Sequence, residues 1–174
     1  MNSTFKFKLI QALNKKNGNK GFTLIELLVV VIIIGVLAAI ALPNLLGQIA
    51  KGRQAEARTH LGTVNRAQQA YRLETGVFGS FTANAGGVST GDLPVSIEPQ
   101  YYNYTGPTAT STTSAVTGAA AINDFTNDIR DYSAAVNQNN AGVFRSIICE
   151  ATNPTTAVTA AASADSCSGG TRIR

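Results

Sequence analysis

The 174-residue chain has no tryptophan, one methionine, one histidine and two cysteines, and only 14% of its residues are charged. Each scarcity excludes something. Without tryptophan, and with aromatics at 7%, the chain does not read as an aromatic-rich carbohydrate-binding module. So low a share of charge excludes a charge-rich disordered segment. The lone histidine, His60, leaves little for acid-base chemistry, and no phosphate-cradling glycine loop, nucleophile elbow or paired-histidine motif accompanies it. Two cysteines, with His60 about ninety residues away, are too few to hold a metal. No catalytic residue, cofactor or metal is expected.

What is present is unevenly distributed. Five of the fourteen basic residues (Lys6, Lys8, Lys15, Lys16, Lys20) precede Phe22, whereas all ten acidic residues lie at or beyond Glu26. Residues 22–174 thus hold nine basic against ten acidic side chains, and the net +4 belongs to residues 1–21. A nucleic-acid partner does not follow from that balance. The apolar residues are concentrated as well. Twenty of the twenty-five residues from Phe22 to Leu46 are apolar, and Leu27 to Ile34 is an unbroken apolar run of eight. Such a segment spans a bilayer, and lysines on its N-terminal side place residues 1–21 in the cytoplasm and the bulk of the chain across the membrane. Cys149 and Cys167 both fall in that exported part. An even pair in an oxidising compartment forms a disulfide, a buried or metal-bound pair being the alternative.

A basic start followed by an apolar run also describes an ordinary secretory signal, for which Ala39-Ile40-Ala41 offers a cleavage site. Signal cores run about 7 to 15 residues; this one is longer and holds a carboxylate, Glu26, close to its start. A carboxylate in hydrocarbon costs on the order of 2.5 to 3.5 kcal/mol, which argues for a positive partner. A cut between Gly21 and Phe22 would create one: the new α-amino group of Phe22, best placed in a neighbouring copy.

The stretch Lys20-Gly21-Phe22-Thr23-Leu24-Ile25-Glu26, opening directly into the apolar segment, resembles the prepilin peptidase signal of type IV pilins and their pseudopilin relatives. The resemblance implies that Gly21 is the last leader residue and that Phe22 is the mature, N-methylated terminus. It implies also that Glu26 offsets the terminal amine of an adjacent subunit and so sets axial register. A 21-residue leader is longer than usual for pilins that begin with Phe. The implied protein is a structural subunit of a type IV pilus, anchored in the inner membrane as a precursor and polymerised through its N-terminal helix into an extracellular filament. Such a filament supports motility, adhesion or DNA uptake. Implied partners are other copies of the chain, the prepilin peptidase, an assembly platform with its ATPases, and an outer-membrane secretin. A minor pilin or a type II secretion pseudopilin is the nearest rival; a secreted binding module released after Ala41 is the rival from another class.

From Phe22 onward no helix breaker occurs until Gly35 and Pro43, and apolar positions recur at helical spacing through Leu46, Ile49, Ala50, Ala57, Leu61, Val64, Ala67 and Tyr71. Thr75-Gly76 supplies an end, with Gly76 suited to a left-handed cap. A helix over residues 22–74 would be about 80 Å long. Residues 22–46, apolar all round, suit lipid and then a bundle of identical helices; residues 47–75 are amphipathic and should pack on the chain's own domain. Gly35 and Pro43 mark where the rod bends or melts, and the resemblance favours melting on assembly. Lys51, Arg53, Arg58, Arg66 and Arg72 outnumber Glu56 and Glu74 here. They read as a solvated face with some pairing to neighbouring subunits rather than as a DNA-binding stripe, because interleaved aromatics are missing. His60 reads as a surface or packing residue.

Residues 76–174 form the exported head. Gly76 to Gly91 is turn-rich, whereas Tyr101–Thr105, Tyr132–Val136 and, most strongly, Val143–Ala151 read as strands. Three or four short strands after one long helix predict an α+β fold, with an antiparallel sheet laid on the amphipathic half of the helix. A Cys149–Cys167 bridge would tie down the low-complexity tail over residues 156–166. Thr105 to Gly118 has eight Ser or Thr among fourteen residues and is expected on a surface loop, either O-glycosylated or plainly flexible. Asn103-Tyr104-Thr105 fits the N-glycosylation triplet, a pattern frequent by chance.

Overall fold

The computed structural model describes residues 21–173. The leader expectations, the five lysines included, lie outside the described residues. The chain divides into two units, the first ending at Asn44 and the second beginning at Leu45.

Helix α1 runs from Leu24 to Thr75. Its N-terminal end is closed by Thr23 and Glu26, three positions apart, as a capping box. At the other end Gly76 takes φ +80° and its N–H bonds to the Arg72 carbonyl at 3.0 Å, the expected left-handed cap. Gly35 and Pro43 sit inside α1 without interrupting it. The local melting expected between them is not a feature of the isolated chain.

In the second unit α1 turns one face inward. Gln54, Ala57, Leu61, Val64, Asn65 and Gln68 are buried, mostly at steps of three and four. Ala50, Ala67 and Tyr71 flank them half-buried. Leu46 and Ile49, expected on this face, are exposed instead, so the packed face begins one turn later than their spacing suggests.

Beyond the helix the chain forms β1 (Phe81–Ala83), β2 (Thr90–Gly91), β3 (Tyr102–Thr105), β4 (Ser114–Ala121), a 3-10 turn (Asn123–Phe125), β5 (Tyr132–Gln138), β6 (Phe144–Ala151), β7 (Thr159–Ala160), β8 (Cys167–Ser168) and β9 (Gly170–Arg172). Seven of these make one antiparallel sheet in the order β2-β1-β3-β4-β5-β6-β9, and β7 pairs with β8 separately. The three expected strands are present. The sheet is wider than three or four strands because β1, β2, β4 and β9 join it. β4 corrects the expectation of a surface loop from Thr105 to Gly118. Ser114 onward is a strand paired with β5 and, from Gly118, with β3 as well, and Thr117 within it is buried.

The sheet is covered on both faces, which is why all five residues from Tyr132 to Val136 are buried. One face, through Tyr102, Tyr104, Ala119, Tyr132 and Ala134, packs with Ala57, Leu61 and Val64 of α1. On the other, Ala135, Ile147 and Cys149 pack against Ala160 and Ala164 of the C-terminal segment. Ser133 Oγ accepts the Ala160 N–H there at 3.1 Å. The fold is α+β, as expected.

Candidate processing and assembly segment

Gly21, Phe22 and Thr23 precede the helix in non-helical backbone, and all three are exposed. Phe22 presents 87% of its surface to solvent. A Cβ added at Gly21 would meet nothing within 4 Å, so the chain's own packing does not demand glycine there. The bond between Gly21 and Phe22 is therefore open to an incoming protein.

Glu26 occupies the third helical position. Both the N–H and the hydroxyl of Thr23 donate to its Oε2, at 2.8 and 2.7 Å, and the Glu26 N–H donates back to Thr23 Oγ1 at 3.3 Å. The carboxylate thus satisfies an otherwise orphaned helix N-terminus and sits at the positive end of the helix dipole. Its other oxygen, Oε1, receives no hydrogen bond among the described residues and is open to a further cation. Sequence reasoning assigned Glu26 to charge pairing and missed the cap, although the Thr-x-x-Glu spacing announces it.

After Glu26 every large apolar side chain from Leu27 to Leu42 is exposed in the isolated chain. This one helix is long and apolar enough to cross a membrane. Burying a Val, Leu or Ile side chain is worth about 1.5 to 3 kcal/mol, so such a row does not stay in water. Lipid or neighbouring helices must cover it. Ala41, the end point of the ordinary signal alternative, lies inside unbroken helix.

The head that this segment carries is held by few, specific bonds. Cys149 of β6 and Cys167 of β8 form the expected disulfide, with Cα atoms 5.7 Å apart. Glu150 Oε1 accepts from Arg58 Nη2 at 3.2 Å and from the Tyr132 hydroxyl at 2.9 Å, and forms an ion pair with Arg130 Nη1 at 3.3 Å. The basic residues of α1 are more committed to the head than a solvated face implies. Arg53 stacks over Phe125 at 4.3 Å and Tyr101 at 5.4 Å. Arg72 donates to Gln138 Oε1 at 3.1 Å and lies over Phe78. Glu56 accepts backbone N–H groups from Gln100 and Tyr101. His60 is half-buried and packs in a tilted stack on Tyr104, ring centroids 5.6 Å apart. Asn103, first of the N-glycosylation triplet, is half-buried in β3 and accepts the Ala85 N–H.

An apolar helix opened by one carboxylate and a disulfide-closed antiparallel sheet are the parts on which the comparisons bear. The profile of the family described as type IV pilin-like G and H matches residues 54–169, two thirds of the chain. The chain belongs to the type IV pilin-like family. A second profile, the prokaryotic N-terminal methylation motif, matches residues 16–42, so the two matches fall on separate, non-overlapping stretches of this pilin-like chain. Among relatives, the type IV major pilin of Myxococcus xanthus is 46% identical over 68 residues, 39% of this chain and 31% of its own length. The type II secretion system core protein G of Vibrio cholerae is 36% identical over 90 residues, 52% of this chain and 60% of its own length. The type IV wide pilus major component of Thermus thermophilus is 38% identical over 65 residues, 37% of this chain and 47% of its own length. The pilin-like chain therefore spans between 31% and 60% of the length of these relatives. No solved structure matches it.

Proposed function

We propose that the chain is the structural subunit of a type IV pilus, made as a prepilin in the inner membrane, cut after Gly21, methylated on Phe22 and polymerised through α1 into a filament at the cell surface. The observation that carries this reading is the exposed apolar face of α1 from Leu27 to Leu42, opened by a carboxylate at its mouth. Beyond capping the helix, a membrane anchor alone has no use for the free oxygen of Glu26. A polymer in which Glu26 Oε1 accepts the Phe22 amine of the next copy does, because the pair offsets two charges that would each be costly in lipid. The helix is the assembly element and residues 76–174 are the exposed head. Gly35 and Pro43 are where α1 gives way as neighbouring helices pack, since Pro43 lacks a backbone donor and Gly35 weakens the helix between. The prepilin peptidase, the assembly platform with its ATPases and an outer-membrane secretin are the partners this route requires. Acting as a polymer subunit, the chain performs no catalysis itself. Motility, adhesion and DNA uptake would be properties of the fibre.

The test is the N-terminal sequence of the protein sheared from the cell surface. N-methylated Phe22 is expected, and Leu42 would overturn the reading. A second reading, a minor pilin or secretion pseudopilin, is favoured by the match to a type II secretion core protein over 52% of this chain. The sheared fraction separates the two, because a major subunit dominates it and a minor subunit or pseudopilin does not.

A further inference from the structure

Many charges on the head are committed within one copy, and among those that are not, two groups of opposite sign lie apart. Arg66 of α1 and Arg172 of β9 border one shallow depression between the helix and the sheet edge. Arg172 shares the adjoining depression with Arg145 of β6. All three arginines are exposed, and none forms an ion pair among the described residues. Asp165, which borders the second depression, is occupied by the Ser163 and Ser166 hydroxyls and is attracted weakly by Arg145, with no ion pair between them. The acids without such commitments include Glu98 and Asp124, both exposed. They share one loop cluster: Asp124 precedes Phe125, which packs edge-on against Tyr101 at 5.4 Å, and Glu98 lies three residues before Tyr101. Asp128 lines a separate groove with Lys51.

The two places cannot serve each other in one copy. The acidic loops pack beside Arg53 and the arginine groove contains Arg66; thirteen residues of helix separate these positions by about 20 Å. Two complementary patches at different heights on one surface are the requirement for a heterologous contact, which repeats into an open helical polymer instead of closing into a dimer. We infer that the groove of Arg66, Arg145 and Arg172 docks the Glu98 and Asp124 loops of a neighbouring copy, a head-to-head contact that fixes the rotation between successive subunits. The inference rests on the filament reading above. Carboxylates suit the groove because a guanidinium fork receives them in two-pronged fashion. Nucleic acid suits it less, since no aromatic side chain lines the groove for a base to stack on.

Full-length variants in the producing bacterium test this, read as filament mass sheared per cell, with the membrane pool of mature subunit as the control for folding and processing. Arg66→Glu with Arg172→Glu is expected to lower filament mass by about tenfold, as is Glu98→Lys with Asp124→Lys, because each reversal replaces attraction by repulsion at every repeat. The four substitutions together restore opposite charges across the contact and are expected to recover most of the loss. Wild-type piliation in either double variant overturns the inference, as does a combined variant no better than its parents. Unchanged filaments that no longer bind a short DNA duplex would assign the groove to a polyanion instead. A wild-type chain that forms no filaments would count against the filament reading itself, before any variant is compared.

Discussion

Gln68, fully buried on α1, grips the backbone of Gly79 with both ends of its amide. Nε2 donates to the Gly79 carbonyl at 2.8 Å and Oε1 accepts the Gly79 N–H at 2.9 Å. The side chain acts as a strand partner for the segment leaving the helix. Gly79 is crowded by Tyr71 and Leu93, about where a Cβ would stand. Gln68→Leu keeps the volume and leaves two buried backbone groups unpaired, each worth about 1 to 3 kcal/mol. A loss of roughly 2 to 4 kcal/mol in urea unfolding is therefore expected. A loss below about 0.5 kcal/mol would show that the segment finds other partners.

That bond also shows where the sequence was legible and where it was not. Ala57, Leu61 and Val64 announce the packed face of α1 by spacing, but Gln54, Asn65 and Gln68 share it, and polar residues at helical spacing read as outward-facing. They turn inward because the sheet has backbone to satisfy, as when Asn65 Nδ2 reaches the Ile147 carbonyl at 3.4 Å. β4 was hidden for a related reason. Its Ser, Thr, Gly and Ala composition is that of a loop, yet Ala119 and Ala121 are small enough to pack with Ala57 where helix and sheet approach closely. β1 and β2, three and two residues long, are too short to show any period. The cysteine pair was legible because two thiols in an exported head have one economical arrangement.

Cys149–Cys167 closes a loop with a sequence separation of 18, for which the chain-entropy model gives a stabilisation of about 3 kcal/mol. Cys149→Ser with Cys167→Ser should reduce stability by about that amount. Proteolysis should begin between Thr152 and Ser166, where β7, its hydrophobic contacts and few hydrogen bonds hold the segment to the sheet. Peptide mapping after brief protease treatment checks this: first cuts elsewhere in the head would show that the tail is secured without the bridge.

Tyr102, Tyr104 and Tyr132 lie together beneath α1, the Tyr102 ring centroid standing 6.3 Å from that of Tyr104 and 6.0 Å from that of Tyr132. Burial pushes the Tyr132 phenol up to about 12 and raises Tyr102 and Tyr104 as well. The folded state thus holds protons that the unfolded chain releases near pH 10, so stability is complete below that value and falls as pH rises beyond it. Tyr104 Oη is buried without a hydrogen-bond partner among the described residues. Tyr104→Phe should accordingly be neutral or stabilising by up to about 1 kcal/mol at pH 7, and should flatten the decline above pH 10. Unfolding midpoints measured from pH 7 to 11 decide it; a destabilised Tyr104→Phe would mean the hydroxyl has a partner.

Glu26 has two roles that separate by mutation. If capping were its only contribution, Thr23→Ala and Glu26→Val would impair the protein equally, each by the roughly 1 kcal/mol of a lost cap. If Glu26 also meets the Phe22 amine of a neighbour, Glu26→Val should be processed normally yet yield few filaments, while Thr23→Ala keeps most of them. Sheared filament mass, normalised to processed subunit, gives the comparison. Equal yields from the two variants would leave the carboxylate as a helix cap alone.

Gly21 is the position where the chain and its peptidase make different demands. The fold has no need of glycine there, since an added Cβ meets nothing within 4 Å, and the residue lies outside the helix. A β-branched side chain is therefore harmless to the folded subunit and objectionable only to an enzyme that must approach the backbone of the scissile bond. Gly21→Val should accumulate as full-length precursor in the membrane with an intact Cys149–Cys167 bridge. Gly21→Ala, smaller by two methyl groups, should be cut at least in part. Immunoblotting against size standards, with and without reductant, distinguishes the outcomes. Efficient processing of Gly21→Val would move the cut away from the Gly21–Phe22 bond. A precursor with reduced cysteines would instead mean that the substitution blocks export, and the glycine would then matter to insertion rather than to cleavage.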